Sequence, residues 1–114
     1  MHELSLVTSL FEVLEEEARK HGAMRVLSVR LRVGVMSGVV PDLLESAFDM
    51  YKKGTIAESS RLEIVVVPVK LRCPDCAGET VREDADFSCV ACGSRRVEIV
   101  EGRELVVERI ELET

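Results

Sequence analysis

From Glu3 to His21 the chain places Leu4, Val7, Leu10, Phe11, Leu14 and Ala18 three and four residues apart, the spacing that gathers apolar side chains on one face of a helix. Glu12, Glu15, Glu16 and Glu17 give way to Arg19, Lys20 and His21, a charge order that suits the helix dipole, and Gly22 can take the left-handed C-terminal position. The period then changes to two. Leu27, Val29, Leu31 and Val33 alternate with Ser28, Arg30 and Arg32, the pattern of a strand with one face in a core and one in water, ending near Gly34. After the Met36-Ser37-Gly38 turn, Pro41 suits the first position of a second helix, with Leu44, Ala47, Phe48 and Tyr51 on one face and Gly54 as its stop. Leu62 to Val67 is short and rich in β-branched residues, a strand broken by Pro68. Beyond Glu101-Gly102-Arg103, Leu105, Val106, Val107, Ile110 and Leu112 form a last strand expected to rejoin the first part of the chain.

These elements predict an α+β fold, with two helices packed on one face of a small three-stranded mixed sheet and the other face wet. Residues 70–100 would then be an inserted, zinc-ribbon-like four-cysteine lobe, and residues 1–69 plus 101–114 the α/β lobe. Patterning does not set the order and direction of the three strands.

The insertion carries the plainest chemical signal. Cys73 and Cys76 in CPDC, and Cys89 and Cys92 in CVAC, are two pairs separated by 12 residues. A Cys-x-x-Cys turn can aim two sulfurs at one centre, and two such turns complete a tetrahedral four-thiolate cage for Zn(II) with no position left for substrate. Pro74 and Gly93 suit tight knuckles. Residues 77–88 are mostly polar around Val81 and Phe87, too little apolar surface to fold without the ion. A rubredoxin-like iron site uses the same pairs but favours aromatic packing, and this chain has no Trp, one Tyr and three Phe. Two disulfides would require an oxidising compartment, whereas no apolar signal segment or run of membrane-spanning length is evident, so a cytoplasmic location is expected.

At 114 residues the chain is one small domain with a satellite, and 46% hydrophobic residues suffice for a modest core. A net charge of −6 removes the global phosphate-neutralising surface that nucleic-acid binding needs, so no nucleic-acid partner and no membrane partner is expected. A homodimer is left open.

Met1-His2-Glu3 adds a second candidate metal site. The amine of Met1, the backbone nitrogen and imidazole of His2, and the amide of Glu3 can form adjacent chelate rings in one plane, a set that fits Ni(II) or Cu(II). The first amides of a helix lack intrahelical acceptors, so their loss breaks no helical bond. Taken alone, such a His is commonly a solvated helix end. His21 reads as the C-terminal cation of its helix, and Met24, Met36 and Met50 as core filler rather than soft ligands.

MHELSL at the start, LRVGVMSGVVPDLLESAFDMYKKGT in the middle, CPDC and CVACGS in the insertion and GRELVVERIEL at the end together resemble the HypA/HybF family of nickel metallochaperones across the whole chain. The resemblance implies no enzyme activity, an N-terminal site for Ni(II) as transferred cargo, and structural Zn(II). By it, His2 is the key nickel ligand, with the Met1 amine and Glu3 backbone completing the site. Cys73, Cys76, Cys89 and Cys92 hold zinc. It further implies delivery with the GTPase HypB to the precursor of the [NiFe] hydrogenase large subunit. Some relatives carry His beside the zinc cysteines; here no His lies beyond Cys73, which removes that form of coupling. The alternatives are a zinc-ribbon adaptor that only binds proteins and a metal-dependent hydrolase, the latter disfavoured by the closed cage.

Overall fold

The computed structural model describes residues 2–84 and 86–114, with His2 described in its backbone only. The elements run α1 (His2–Lys20), β1 (Arg25–Gly34), α2 (Pro41–Tyr51), β2 (Arg61–Val67), β3 (Val69–Arg72), β4 (Glu79–Arg82), β5 (Glu98–Glu101) and β6 (Leu105–Glu113). They build two three-stranded sheets, ordered β2-β1-β6 and β4-β3-β5.

The first sheet is mixed, as expected. β1 pairs parallel with β2, from Ser28 opposite Arg61 to Gly34 opposite Val67. It pairs antiparallel with β6, which returns after the insertion. Burial follows the helical and strand periods. Val7, Leu10, Phe11 and Leu14 from α1, Leu44 and Phe48 from α2, and Val26, Val29, Leu31 and Val33 from β1 form one core. The Phe11 ring lies 5.4 Å from Phe48 and 4.8 Å from Tyr51, locking the two helices together.

Several apolar residues depart from the sequence reading. Leu4 lies at the exposed end of the α1 stripe, Tyr51 is partly exposed at the end of α2, and Met24, Met36 and Met50 are at the surface instead of filling the core. Leu27, expected on the core face of β1, is exposed because the register with β6 shifts between Val26 and Ser28, and Val26 is buried in its place. The others lie at an element end, in a turn or on an outer helix face, where the core no longer reaches. On the wet face of the first sheet, Arg30 pairs with Glu63 and lies 3.6 Å from Glu108, while Arg32 lies 3.3 Å from Glu108 and 3.9 Å from Glu104. These half-exposed pairs contribute little stability individually.

The second sheet corrects the expectation of an insertion ordered by the ion alone. β3 pairs antiparallel with both β4 and β5. Val69, Leu71 and Thr80 are buried within it, so the insertion has a small apolar core of its own. The two sheets meet at a narrow junction. Pro68 alone separates β2 from β3, and Gly102 turns β5 toward β6 with φ +115°. Met36 donates its N–H to Gly102 O at 2.7 Å, and Val35 donates to Val67 O at 2.9 Å.

Candidate metal centres

The two cysteine pairs are built as a repeated backbone device. In the first, Cys73 N–H donates to Gly78 O at 2.9 Å and Ala77 N–H to Cys73 O at 2.8 Å. In the second, Cys89 N–H donates to Ser94 O at 2.9 Å and Gly93 N–H to Cys89 O at 2.8 Å. The fifth residue of each knuckle takes left-handed backbone, Ala77 at φ 61° and Gly93 at φ 74°. Glycine accepts that conformation freely; alanine there costs about 1 kcal/mol, so only the second knuckle carries the residue type that marks its left-handed position.

Facing knuckles bring the sulfurs together. All four are free thiols and lie within 4.8 Å of one another, with Cys73 Sγ 3.6 Å from Cys92 Sγ and Cys76 Sγ 3.6 Å from Cys89 Sγ. A tetrahedron with metal–sulfur bonds of ~2.3 Å has sulfur–sulfur edges near ~3.8 Å, so the arrangement fits a closed structural zinc site. Cys73 and Cys89 are buried while Cys76 and Cys92 face outward.

Backbone amides aim at the sulfurs. N–H groups of Cys92 and Ala91 bring the Cys89 thiol down to about 6, against the opposing effect of burial. For Cys92 the amide of Ser94 pulls downward, but the hydrogen bond with Cys73 and burial outweigh it and push that thiol up to about 12. Four close sulfurs cannot all ionise unaided. A divalent cation would stabilise all four thiolates at once, which is the chemistry this donor set is suited to.

A polar bridge spans the two knuckles. Asp75 lies between the first two cysteines and accepts from Ser94 Oγ at 2.6 Å and from Arg96 Nη2 at 2.6 Å. Those contacts hold the Asp75 carboxyl below its usual range, Arg96 contributing most. Thr80 Oγ1 accepts the Val90 N–H at 3.3 Å, tying β4 to the second knuckle. Sequence reasoning missed both contacts. The position of Asp75 inside the first pair was the available signal.

Of the N-terminal residues, Met1 and the His2 side chain lie outside the described residues. Glu3 is described, and its side chain is only 6% exposed. Its Oε2 accepts the N–H of Val40 at 3.3 Å, fastening the first turn of α1 to the start of α2. The helix begins at His2, so the Glu3 amide belongs to the first turn and has no acceptor within the helix. His21 is exposed just beyond the end of α1, with Nε2 3.6 Å from Glu17.

Set beside known proteins, residues 1–112 match the family model described as "Hydrogenase/urease nickel incorporation, metallochaperone, hypA". The chain belongs to the HypA family. It is 40% identical over 113 residues to the hydrogenase maturation factor HypA of Aquifex aeolicus strain VF5, covering 99% of this chain and 98% of that protein. The HypA of Acidithiobacillus ferrooxidans is 41% identical over 114 residues, 99% of this chain and 100% of the relative. The solution structure of the Ni metallochaperone HypA from Helicobacter pylori superposes with a TM-score of 0.66 at 30% identity, covering 97% of each chain. A second HypA solution structure gives 0.72 at 32% identity, covering 98% of this chain and 96% of that one. HypA proteins are metallochaperones for hydrogenase nickel incorporation, so this chain is a metal carrier, not an enzyme. Among the described residues no helix is long and apolar enough to cross a membrane.

Proposed function

We propose that the chain carries Ni(II) as cargo at its N-terminus while Zn(II) fills the four-cysteine cage. The Met1 amine, the His2 backbone nitrogen and imidazole, and the Glu3 amide form the nickel site. Cys73, Cys76, Cys89 and Cys92 hold zinc. Residues 1–69 plus 101–114 act as the nickel-handling lobe and residues 70–100 as the zinc lobe. Nickel passes, with the GTPase HypB, to the precursor of the [NiFe] hydrogenase large subunit. The observation that carries this reading is the family match from residue 1 to residue 112, which includes both Met1-His2-Glu3 and all four cysteines. The Glu3 carboxylate supports it from the structure. Its contact with Val40 N–H fixes the first turn of α1 against the start of α2, and the Glu3 amide in that turn has no acceptor within the helix.

A carrier must release its cargo. Imidazole and α-amine groups titrate near ~6.5 and ~7.8, so protons compete with Ni(II) close to neutral pH and the site is exchangeable. Calorimetric titration of untagged, zinc-loaded protein with Ni(II) should give one site per chain. His2→Ala and acetylation of Met1 should each abolish it with zinc retained. Unchanged nickel affinity in both would reject the N-terminal site; an absence of nickel binding by the unmodified protein would leave a zinc-ribbon adaptor as the better reading.

A further inference from the structure

β6 is an edge strand of the first sheet, and its core face is incompletely covered. Val26, Val29, Leu31 and Val33 of β1 are buried, whereas Leu105, Val107, Ile110 and Leu112 of β6, on the same face, all remain partly exposed. Beside them lies a cavity of about 180 Å³ between α1 and β6, lined in part by Leu6, Val13, Leu105 and Val107. Val13 is 43% exposed there. An edge strand also presents unpaired N–H and C=O groups.

The side chains of β6 are symmetric about its middle. The register passes from Arg30 opposite Arg109 to Leu31 opposite Val107, so Glu108 is a bulge residue. Because of that bulge Glu108 and Arg109 both lie on the wet face. Reflection through the point between them exchanges Leu105 with Leu112 and Val107 with Ile110 on the core face. On the wet face it exchanges Val106 with Glu111 and Glu108 with Arg109. Two copies of this strand laid antiparallel therefore match apolar to apolar on one face and place two opposite-charge pairs at the centre of the other.

We propose that β6 is the seam of a homodimer, in which two copies pair edge to edge into one six-stranded sheet with the order β2-β1-β6-β6-β1-β2. A two-fold axis normal to the sheet keeps like faces together, so the two α1 helices lie side by side over the seam and cover the cavity at Val13. The charge row of the wet face continues across it. Glu63, Arg30 and Glu108 of one copy alternate in sign and are followed by Arg109 of the second copy. Glu104 and Glu113, which meet at the ends of the seam, are already held within each copy by Gly102 N–H at 2.6 Å and by Arg25 at 2.8 Å. The opposite edge offers no opposite-charge pair, since reflection of β2 about Ile64 sets Glu63 against Val65 and Arg61 against Val67.

Sedimentation equilibrium on the untagged, zinc-loaded chain tests this. The protein should dimerise, and Arg109→Glu or Glu108→Arg should each raise the dimer dissociation constant roughly tenfold, because each change sets two like-charge pairs at the centre. The double reversal carrying both changes should restore dimerisation. Val13→Glu, away from the strand, should also weaken it. Circular dichroism and zinc content verify that each variant is folded. A monomer at about 1 mM, a dimer indifferent to the single reversals, or a folded double reversal that stays monomeric would each overturn the seam.

Discussion

Gly34→Ala tests the junction between the two sheets directly. No positive φ is imposed at Gly34, so alanine is conformationally acceptable there; the difficulty is space. A Cβ at this position would stand 2.8 Å from the Arg103 nitrogen and closer still to the carbonyl of Gly102. Both obstacles are backbone and cannot swing aside. Carbon needs about 3.5 Å to its neighbours, so the Gly102 turn must retreat on the order of 1 Å. That retreat strains two hydrogen bonds of 2.7 Å, Gly34 N–H to Glu104 O and Met36 N–H to Gly102 O. Losing each costs about 1 kcal/mol, and overpacking adds about 1–3 kcal/mol. Stiffening of the unfolded chain by alanine returns about 0.4–1 kcal/mol. The expected net destabilisation is about 3 kcal/mol, or on the order of 12 °C in Tm for a chain of this size. Urea denaturation of Gly34→Ala should show it with the metal content unchanged, since the thiolate cage is built within residues 73–92. Gly22→Ala is the control: φ is +63° with nothing within 4 Å of the added carbon, so only the left-handed backbone penalty of about 1 kcal/mol applies. If Gly34→Ala cost no more than Gly22→Ala, the close approach of Gly34 to Gly102 would not hold the sheets together as argued.

Cys76→Ser should lose the metal and the amide protection of β4 and the two knuckles while α1, α2 and β1 keep theirs; uniform native protection with full metal content would refute a structural cage. Asp75→Ala, which removes the acceptor of both Ser94 and Arg96, should leave metal stoichiometry intact but hasten its removal by a chelator several-fold, read from the release kinetics. Glu104 has its carboxyl held below the usual range by its own backbone N–H and that of Gly102, so its stabilisation is complete above its ordinary value of 4.5 and fades as pH falls through the lower folded value. Glu104→Gln should therefore flatten the acid limb of stability against pH below about pH 5, and an unchanged limb would show that this carboxylate does not contribute.

The first sheet and its helices were legible because burial there follows a period. Val7, Phe11 and Leu14 on α1 and Val29, Leu31 and Val33 on β1 repeat every three or four, or every two, positions, and all of them are buried. The second sheet was not legible. β3, β4 and β5 are four residues each, too short for alternation to stand out, and their buried residues Val69, Leu71 and Thr80 mix with charged neighbours. The cage was legible from spacing alone, since four cysteines in two pairs leave few other chemistries. Its polar support was not, because Asp75 and Arg96 are 21 residues apart and only the facing knuckles bring them together. The role of the Glu3 side chain was hidden for a similar reason: its acceptor contact is with the backbone of Val40, 37 residues away, and a backbone partner leaves no mark in residue identity.

That contact gives the loop between β1 and α2 a place in both halves of the molecule. At one end Val35 and Met36 donate to Val67 and Gly102, the strand ends from which the cysteine-bearing sheet departs and returns. At the other, Val40 donates to the carboxylate at the start of α1. Between them Ser37 N–H donates to Gly34 O at 3.0 Å, its Oγ accepts from Val39 N–H at 3.3 Å, and Val39 is buried. A segment held at both ends and in its middle has little slack to absorb a displacement. The shift that Gly34→Ala imposes on Gly102 is therefore expected to travel along residues 35–40 to the Glu3 contact. Faster amide exchange at Val40, accompanying that at Met36, is the measurable consequence.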